Sequence, residues 1–250
     1  EQLEDRVWCM VYKMGYKELS ENRQFKIEIP KDPTPKQIDI FAKDDEVALV
    51  IECTQSEKPV KSFKTDITEK INNITASKGQ IENAISSHYG RETKIKPRFI
   101  IATENIEWGA ADLEKCRSQN IIVLTEKDIE YYEELTKYLK NAARFQFHAH
   151  LFEGIGIPGL SMDVPSTKGV MGGTTFYSFL VKPNELLKIA YVGHKSTRSL
   201  ENLQTYQRML KPNRLNSIVK YLNDGGKFPT NIVVNFKTKK GKALRFDKRS

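Results

Sequence analysis

Val47-Ala-Leu-Val-Ile51 is an uninterrupted run of five aliphatic residues. A strand with no polar member cannot present one wet face and one dry one, so it has to be covered on both sides. A polar turn, Lys43-Asp44-Asp45-Glu46, precedes it, and a second strand-like run, Gln37 to Phe41, lies before that turn. The chain has the material to cover such a strand: 250 residues, 39% apolar and 10% aromatic, can bury one large core or two modest ones. Disorder and a disulfide-stapled miniprotein are excluded on the same grounds. No apolar run approaches the roughly 18 residues of a membrane-spanning helix. Cys9, Cys53 and Cys116 are an odd number at wide spacing without a metal-ligand pattern, which points to thiols used as small apolar fillers in a reducing, cytoplasmic setting. The sequence opens on Glu1 with no signal segment, which leaves room for residues ahead of it.

Helical spacing of Leu3, Val7, Met10, Val11 and Met14 predicts a first helix stopped by Gly15. A three-strand meander follows: Phe25 to Ile29, Gln37 to Phe41 and Val47 to Cys53. Ile67, Ile71, Ile74, Ile81 and Ile85 then mark one face of a long helix ending near Gly90. Phe99 to Ala102 and Ile121 to Leu124 read as strands around a short helix, Ala110 to Ser118, and a last helix runs from Glu126 towards Phe145. This order describes an α/β domain over residues 1–147. Residues 148–250 form a second unit, with glycine-rich turns at Gly169, Gly172 and Gly173. Strands are expected at Thr175 to Val181, Leu186 to Val192 and Asn231 to Phe236, and helices at Ser199 to Leu210 and Asn213 to Leu222. The glycines lack the Lys-Ser/Thr of a phosphate loop and read as turns. His148 and His150 alternate as in a strand but find no third ligand for a metal.

The chemistry concentrates on the first hairpin. If its turn is centred between Asp45 and Glu46, Asp39 lies opposite Glu52, with Cβ atoms about 4.5–5.5 Å apart. Like charges at that distance destabilise a sheet, so one acid is protonated, or each has a basic partner, or a divalent cation sits between them. A register shifted by one residue would instead turn one acid to solvent.

With Asp39 in Ile-Asp-Ile-Phe and Glu52 in Leu-Val-Ile-Glu-Cys after an N-terminal helix, residues 1 to about 130 resemble the PD-(D/E)XK superfamily. That resemblance implies a restriction-endonuclease-like mixed sheet flanked by helices. It also implies Mg²⁺ (or Mn²⁺) held by Asp39 and Glu52 and hydrolysis of a DNA phosphodiester. The lysine expected two positions after the glutamate is replaced by Thr54, a hydroxyl without charge. The resemblance therefore makes Thr54 and a lysine from just beyond, Lys58, Lys61 or Lys64, the candidates for positioning water. Gln80 and Glu4 stand where auxiliary polar residues occur. The alternative is a DNA-binding or regulatory module that kept the fold and lost the reaction.

Tyr138-Leu-Lys-Asn-Ala-Ala-Arg-Phe-Gln, Phe176-Tyr-Ser-Phe, Leu186-Leu-Lys-Ile-Ala-Tyr-Val-Gly-His194 and Tyr206-Gln-Arg-Met-Leu-Lys-Pro-Asn-Arg214 make the second unit similar to the DGQHR (DndB-like, distantly ParB-like) family. The resemblance implies a second, incomplete α/β domain, since the name-giving motif is absent from these residues, and a bacterial DNA-modification or phage-defence setting. His194 and Arg198 could meet a phosphate, or stabilise a turn.

The net charge of +8 is concentrated between Lys237 and Arg249, with seven basic residues against one acid. Lys237, Lys239, Lys240, Lys242 and Arg245 are candidate nucleic-acid contacts, and a solvated terminus explains them equally. DNA is the expected partner, a membrane is not, and self-association is compatible with everything read here.

Overall fold

The computed structural model describes residues 2–20, 25–27, 36–45, 47–90, 95–152, 162–190 and 211–234. The fully covered strand predicted from Val47 lies at the middle of a five-stranded mixed sheet. Its spatial order is β1 (Glu18–Leu19), β4 (Ile40–Lys43), β5 (Val47–Lys61), β6 (Lys96–Glu107), β7 (Ile121–Leu124). β1, β4 and β5 run antiparallel and β5, β6 and β7 parallel. β2 (Phe25–Ile27) and β3 (Lys36–Ile38) form a separate small ribbon.

Alternation along β5 assigns the two faces. Val47, Leu49, Ile51 and Cys53 pack into a core with α1 (Gln2–Lys13), α4 (Glu126–Leu139) and α5 (Ala143–Leu151). Ala48 and Val50 pack into a second core under α2 (Ile67–Tyr89) and α3 (Ala110–Ser118). Two helical layers therefore enclose the sheet, in the restriction-endonuclease-like arrangement expected from the sequence. Ile100 and Ile101, adjacent on β6, are completely buried on opposite faces, as a central parallel strand requires. No helix among the described residues is long and apolar enough to cross a membrane.

Several expectations need correction. The strand Gln37 to Phe41 is broken by a bend at Asp39, so that it divides into β3 and β4. The helix from Glu126 does not run unbroken to Phe145. Lys140 adopts a left-handed conformation (φ +48), a 3-10 turn covers Lys140–Ala142, and α5 starts afresh. His148 and His150 sit on α5 rather than a strand, two residues apart and so on different sides. Of the strand expected at Leu186 to Val192, Leu186 to Ile189 is helix and Tyr191 and Val192 lie outside the described residues: α6 (Pro183–Ile189) begins with proline at its first position, where the missing N–H costs nothing. Asn231 to Val234 form no strand. The turn expected at Gly172-Gly173 is present, both residues at positive φ, closing a hairpin of β8 (Ser166–Met171) and β9 (Thr174–Phe179). The expected helix at Asn213 is α7 (Pro212–Asn223). Ser199 to Leu210, His194, Arg198 and the basic residues from Lys237 onward lie outside the described residues.

A buried polar cluster ties α5 to the β4–β5 turn. The Asp44 carboxylate, 1% exposed, accepts the Val47 N–H at 2.7 Å and faces Arg144 Nε at 3.5 Å and His148 Nε2 at 3.4 Å. His148 Nε2 also meets the Tyr16 hydroxyl at 3.0 Å. Burial pushes the imidazole down to about 4, prevailing over the attraction of Asp44, whose charge Arg144 already answers. The unfolded chain, with histidine near 6.5, therefore binds a proton that the folded one refuses. Stability is complete above pH 6.5 and declines as pH falls towards 4. We expect the unfolding free energy of wild type relative to His148→Gln, from urea titrations, to fall by about 2 kcal/mol between pH 7 and pH 5. A difference that stays constant over that interval would show that the imidazole is not the group titrating.

Candidate active site

The β4–β5 turn brings two carboxylates together. Asp44 N–H reaches Val47 O at 3.0 Å, and the ladder proceeds as Lys43 with Ala48, Ala42 with Leu49, Phe41 with Val50 and Ile40 with Ile51. The ladder ends there, and Asp39, in the bend just beyond it, brings its carboxyl into hydrogen-bond contact with that of Glu52. Glu52 continues the Ala48–Val50 alternation and thus sits on the α2 side of the sheet, and Thr54 shares its face. Asp39 Oδ2 accepts the Cys53 N–H at 2.7 Å, which fixes its carboxylate beside the strand end.

Glu52 is half-buried and its carboxyl is pushed up to about 7. Loss of water comes first among the causes, then the adjacent Asp39 charge; Lys70 opposes both, and a hydrogen bond between the two carboxyl groups favours the protonated form. Of the three explanations open for two such acids, the upward displacement of Glu52 favours the first: its carboxyl holds a proton to higher pH than an ordinary glutamate.

Lys70, on the first turn of α2, was not among the expected residues. Its Nζ donates to the Cys53 carbonyl at 2.6 Å and lies 4.0 Å from Asp66 Oδ2. Its charge reaches Glu52, as the downward pull on that carboxyl records. The chain thus passes through Glu52 and Thr54, leaves along the rest of β5, turns at Ser62–Lys64 and returns on α2 to place an ammonium where it began. Nothing local in the sequence marks Lys70. It lies between Ile67 and Ile71 on a helix whose polar positions read as solvated.

The remaining candidates separate clearly. Lys58 and Lys61 lie on the outer part of β5 and are exposed, and neither is among the groups that act on Glu52. Lys64 is exposed beyond them. Glu4 is close enough to act on the Cys53 thiol, because Leu3 N–H donates to Gln55 Oε1 at 3.0 Å and anchors the start of α1 beside the strand end. Gln80 is exposed further along α2. His148 and His150 are engaged with Tyr16 and with the Tyr132 hydroxyl, and no metal is indicated there. Among the described residues no group of three or more His, Cys, Asp and Glu side chains is placed to hold a metal ion.

The donors present fit a hydrated hard cation. Two neighbouring carboxylates are the usual protein share for Mg²⁺, which keeps several of its waters. Thr54 Oγ1 adds an observation of its own: it is buried without a hydrogen-bond partner, on the face that carries Glu52. A buried hydroxyl with nothing to bond costs stability, and a site whose ligand brings water supplies the partner.

No family model matches the chain, and no curated protein is similar to it in sequence. Three solved structures are similar to parts of it. Protein VC1899 from Vibrio cholerae shares 10% identity over 54% of this chain and 32% of its own, with a TM-score of 0.36. Can2 from Sulfobacillus thermosulfidooxidans, determined with cyclic tetra-adenylate, shares 15% over 59% and 34%, with a TM-score of 0.37. Protein of unknown function AF1548 shares 15% over 60% and 79%, with a TM-score of 0.37. The chain spans about a third of the length of the first two.

The raised Glu52 makes a stability prediction whose sign follows from linkage. An acid whose folded value exceeds its unfolded one stabilises the fold at low pH, and that contribution is lost as pH rises from about 4.5 through 7. Glu52→Gln should therefore be more stable than wild type at pH 8 in chelator, by roughly 1–3 kcal/mol, and no more stable at pH 5. Thermal melts at the two pH values check this. A Gln variant that is destabilised equally at both would mean that the two acids do not repel.

Proposed function

We propose that this chain is a divalent-metal-dependent nuclease acting on the phosphodiester backbone of DNA. The observation carrying the reading is the carboxylate pair Asp39–Glu52 faced by the Lys70 ammonium, at the end of a strand that both helical layers cover.

Asp39 and Glu52 would hold Mg²⁺ or Mn²⁺. When bound, the ion supplies Lewis acidity and a more acidic water. The chain's own groups do the rest. Glu52 must give up its proton before it can be a ligand, so a value of about 7 makes occupancy rise with pH across neutrality. The Cys53 N–H holds Asp39 in position, so that the pair is fixed before anything binds. Lys70 carries the positive charge that Thr54 lacks and can turn from the Cys53 carbonyl towards a phosphate oxygen, where negative charge accumulates as water's oxygen bonds to phosphorus and the bond to the leaving sugar oxygen breaks. Thr54 offers its unused hydroxyl to the attacking water. Lys70 thus takes the role first considered for Lys58, Lys61 or Lys64.

Thr54 at the lysine position favours a second reading, a DNA-binding or regulatory module without catalysis. The DndB-like character of residues 148–250, and the modification or phage-defence setting that goes with it, rest on the sequence resemblance of that part.

Supercoiled plasmid incubated with Mg²⁺ or Mn²⁺ distinguishes the two. Wild type should nick or linearise it, faster at pH 8 than at pH 6. Asp39→Ala and Glu52→Ala should abolish cleavage, and Lys70→Ala should slow it by roughly 10²–10³-fold, the scale of removing one charge-stabilising donor. Equal cleavage by all four proteins would remove the enzymatic reading, and absence of cleavage with intact DNA binding would establish the second one.

A further inference from the structure

Between Thr54 and Lys70 the chain makes an excursion whose two ends meet at the site, since Lys70 Nζ donates to the carbonyl of Cys53. Its outgoing limb is the outer half of β5. This stays paired to β6 through a bulge: Gln55 is opposite Glu104 and the next pairs are Val60 with Ile106 and Lys61 with Glu107. The bulge is secured by Asn105, which adopts a left-handed conformation (φ +58) and donates its side-chain amide to the Ser56 carbonyl at 2.9 Å. The turn is secured by Ser62, which is completely buried: its Oγ donates to Asp112 Oδ2 at 2.5 Å and accepts the Gly109 N–H at 3.1 Å, while its carbonyl accepts from the Thr65 hydroxyl at 2.6 Å.

On this braced frame the outward-facing residues are unexpected. Phe63, next to the fully buried Ser62, is 66% exposed. Lys64 follows it in the turn and Lys58 and Lys61 precede it on the outer half of β5; all three are exposed and form no ion pair among the described residues, although Glu57 adjoins Lys58 in sequence and Glu107 is opposite Lys61. Lys64 Nζ lies 6.0 Å from the Phe63 ring centroid. An aromatic side chain left bare on a braced turn, with one ammonium near its ring and two more on the strand that leads to it, has the two properties of a base-stacking platform: a flat apolar face and positive charge for the adjoining phosphates. A polypeptide docking there would also cover the ring, but it gives no role to three cations.

We infer that the arm formed by residues 55–64 binds single-stranded nucleic acid, with one base stacked on Phe63 and the flanking phosphates met by Lys58, Lys61 and Lys64, and so feeds an unpaired strand to Asp39 and Glu52. The inference rests on the nuclease reading for what happens next, but not for the binding itself. The geometry allows it: the eight residue steps of strand from Cys53 to Lys61 span at most about 26 Å, a length that an unpaired strand of several nucleotides can follow.

The test is fluorescence anisotropy of a labelled mixed-sequence oligonucleotide, single-stranded and as a duplex, with the full chain in EDTA so that cleavage is silent. Wild type should prefer the single strand. Phe63→Ala should weaken that binding about tenfold while leaving the salt dependence unchanged, and Phe63→Trp should restore it. Lys58→Ala/Lys61→Ala/Lys64→Ala should lower the slope of log affinity against log salt by about two, at roughly 0.7 for each phosphate that is no longer neutralised. Because all four side chains are exposed, the variants should keep the wild-type melting temperature, which checks that they fold. Wild-type affinity in the Phe63 and triple-lysine variants, or a duplex bound as well as the single strand, would overturn the proposal, as would capture of a polypeptide that Phe63→Ala abolishes without any effect on nucleic acid. The failure of the nuclease reading looks different: single strands bound through Phe63, and plasmid left intact with metal present.

Discussion

The position of the candidate site follows from the register of one turn, and the register follows from Asp44. Its backbone and carboxylate both engage Val47, which fixes where β5 starts against β4. Because side chains alternate, a slip of one residue would send Glu52 to the opposite face and expose the apolar side of β5. Asp44 is itself buried, which is tolerated only because Arg144 and His148 on α5 and the Val47 N–H share its charge. The last helix of the first core therefore stabilises, through one carboxylate, the geometry of two others about five residues of strand away.

The relation between the two acidic centres explains why one is a strut and the other a site. Asp44 is nearly inaccessible, with one oxygen held by the Val47 N–H and the other within 3.5 Å of Arg144 and 3.4 Å of His148, so its charge serves structure. Glu52 and Asp39 lie side by side, with the Cys53 N–H on Asp39 and the Lys70 charge acting on Glu52, and their repulsion raises the proton affinity of Glu52. Such an arrangement opposes folding above pH 7, and the cation proposed above would offset that repulsion.

How much of this could be read in advance depended on range. Helices α1 to α3 and strands β6 and β7 follow from apolar spacing inside each segment, and the Asp39–Glu52 pairing needed only a hairpin, where the turn residues and the aliphatic run fix the register together. The outer half of β5 was hidden because Gln55 to Pro59 carries no apolar alternation and a proline usually ends a strand; it persists by pairing to β6, which lies about fifty positions further along the chain. The break at Lys140 has no glycine or proline to announce it. The apolar run at Leu186 is too short for periodicity to separate strand from helix, and Pro183 was the cue that could have settled it. Lys70 was illegible for another reason. Its sequence neighbours make it a surface residue of an amphipathic helix, and only the return of the chain after the β5 arm brings its amine to Cys53.

Thr54, at the position where the superfamily that the sequence resembles carries a lysine, is coherent in terms of charge. An ammonium on residue 54 would stand on the same face as Glu52 and near the amine that Lys70 already contributes, so two cations would share a pocket with two acids that also need room for a divalent ion. With threonine there, the unloaded pair carries one lysine and one proton, close to local neutrality. Loss of that proton leaves two negative charges that a divalent cation can neutralise, and Lys70 becomes surplus to the pair and free to face a phosphate. The helix is also the better place for an amine that must move: its stem is held at Cα by α2, packed on the sheet through Ile67, Ile71 and Ile74, while its head is tied by a hydrogen bond to one carbonyl. A lysine on β5 would have its direction set by the pleat. On the proposed reading, an amine on the helix rather than the strand separates the groups that would stay fixed, Asp39 and Glu52, from the one that would change partners.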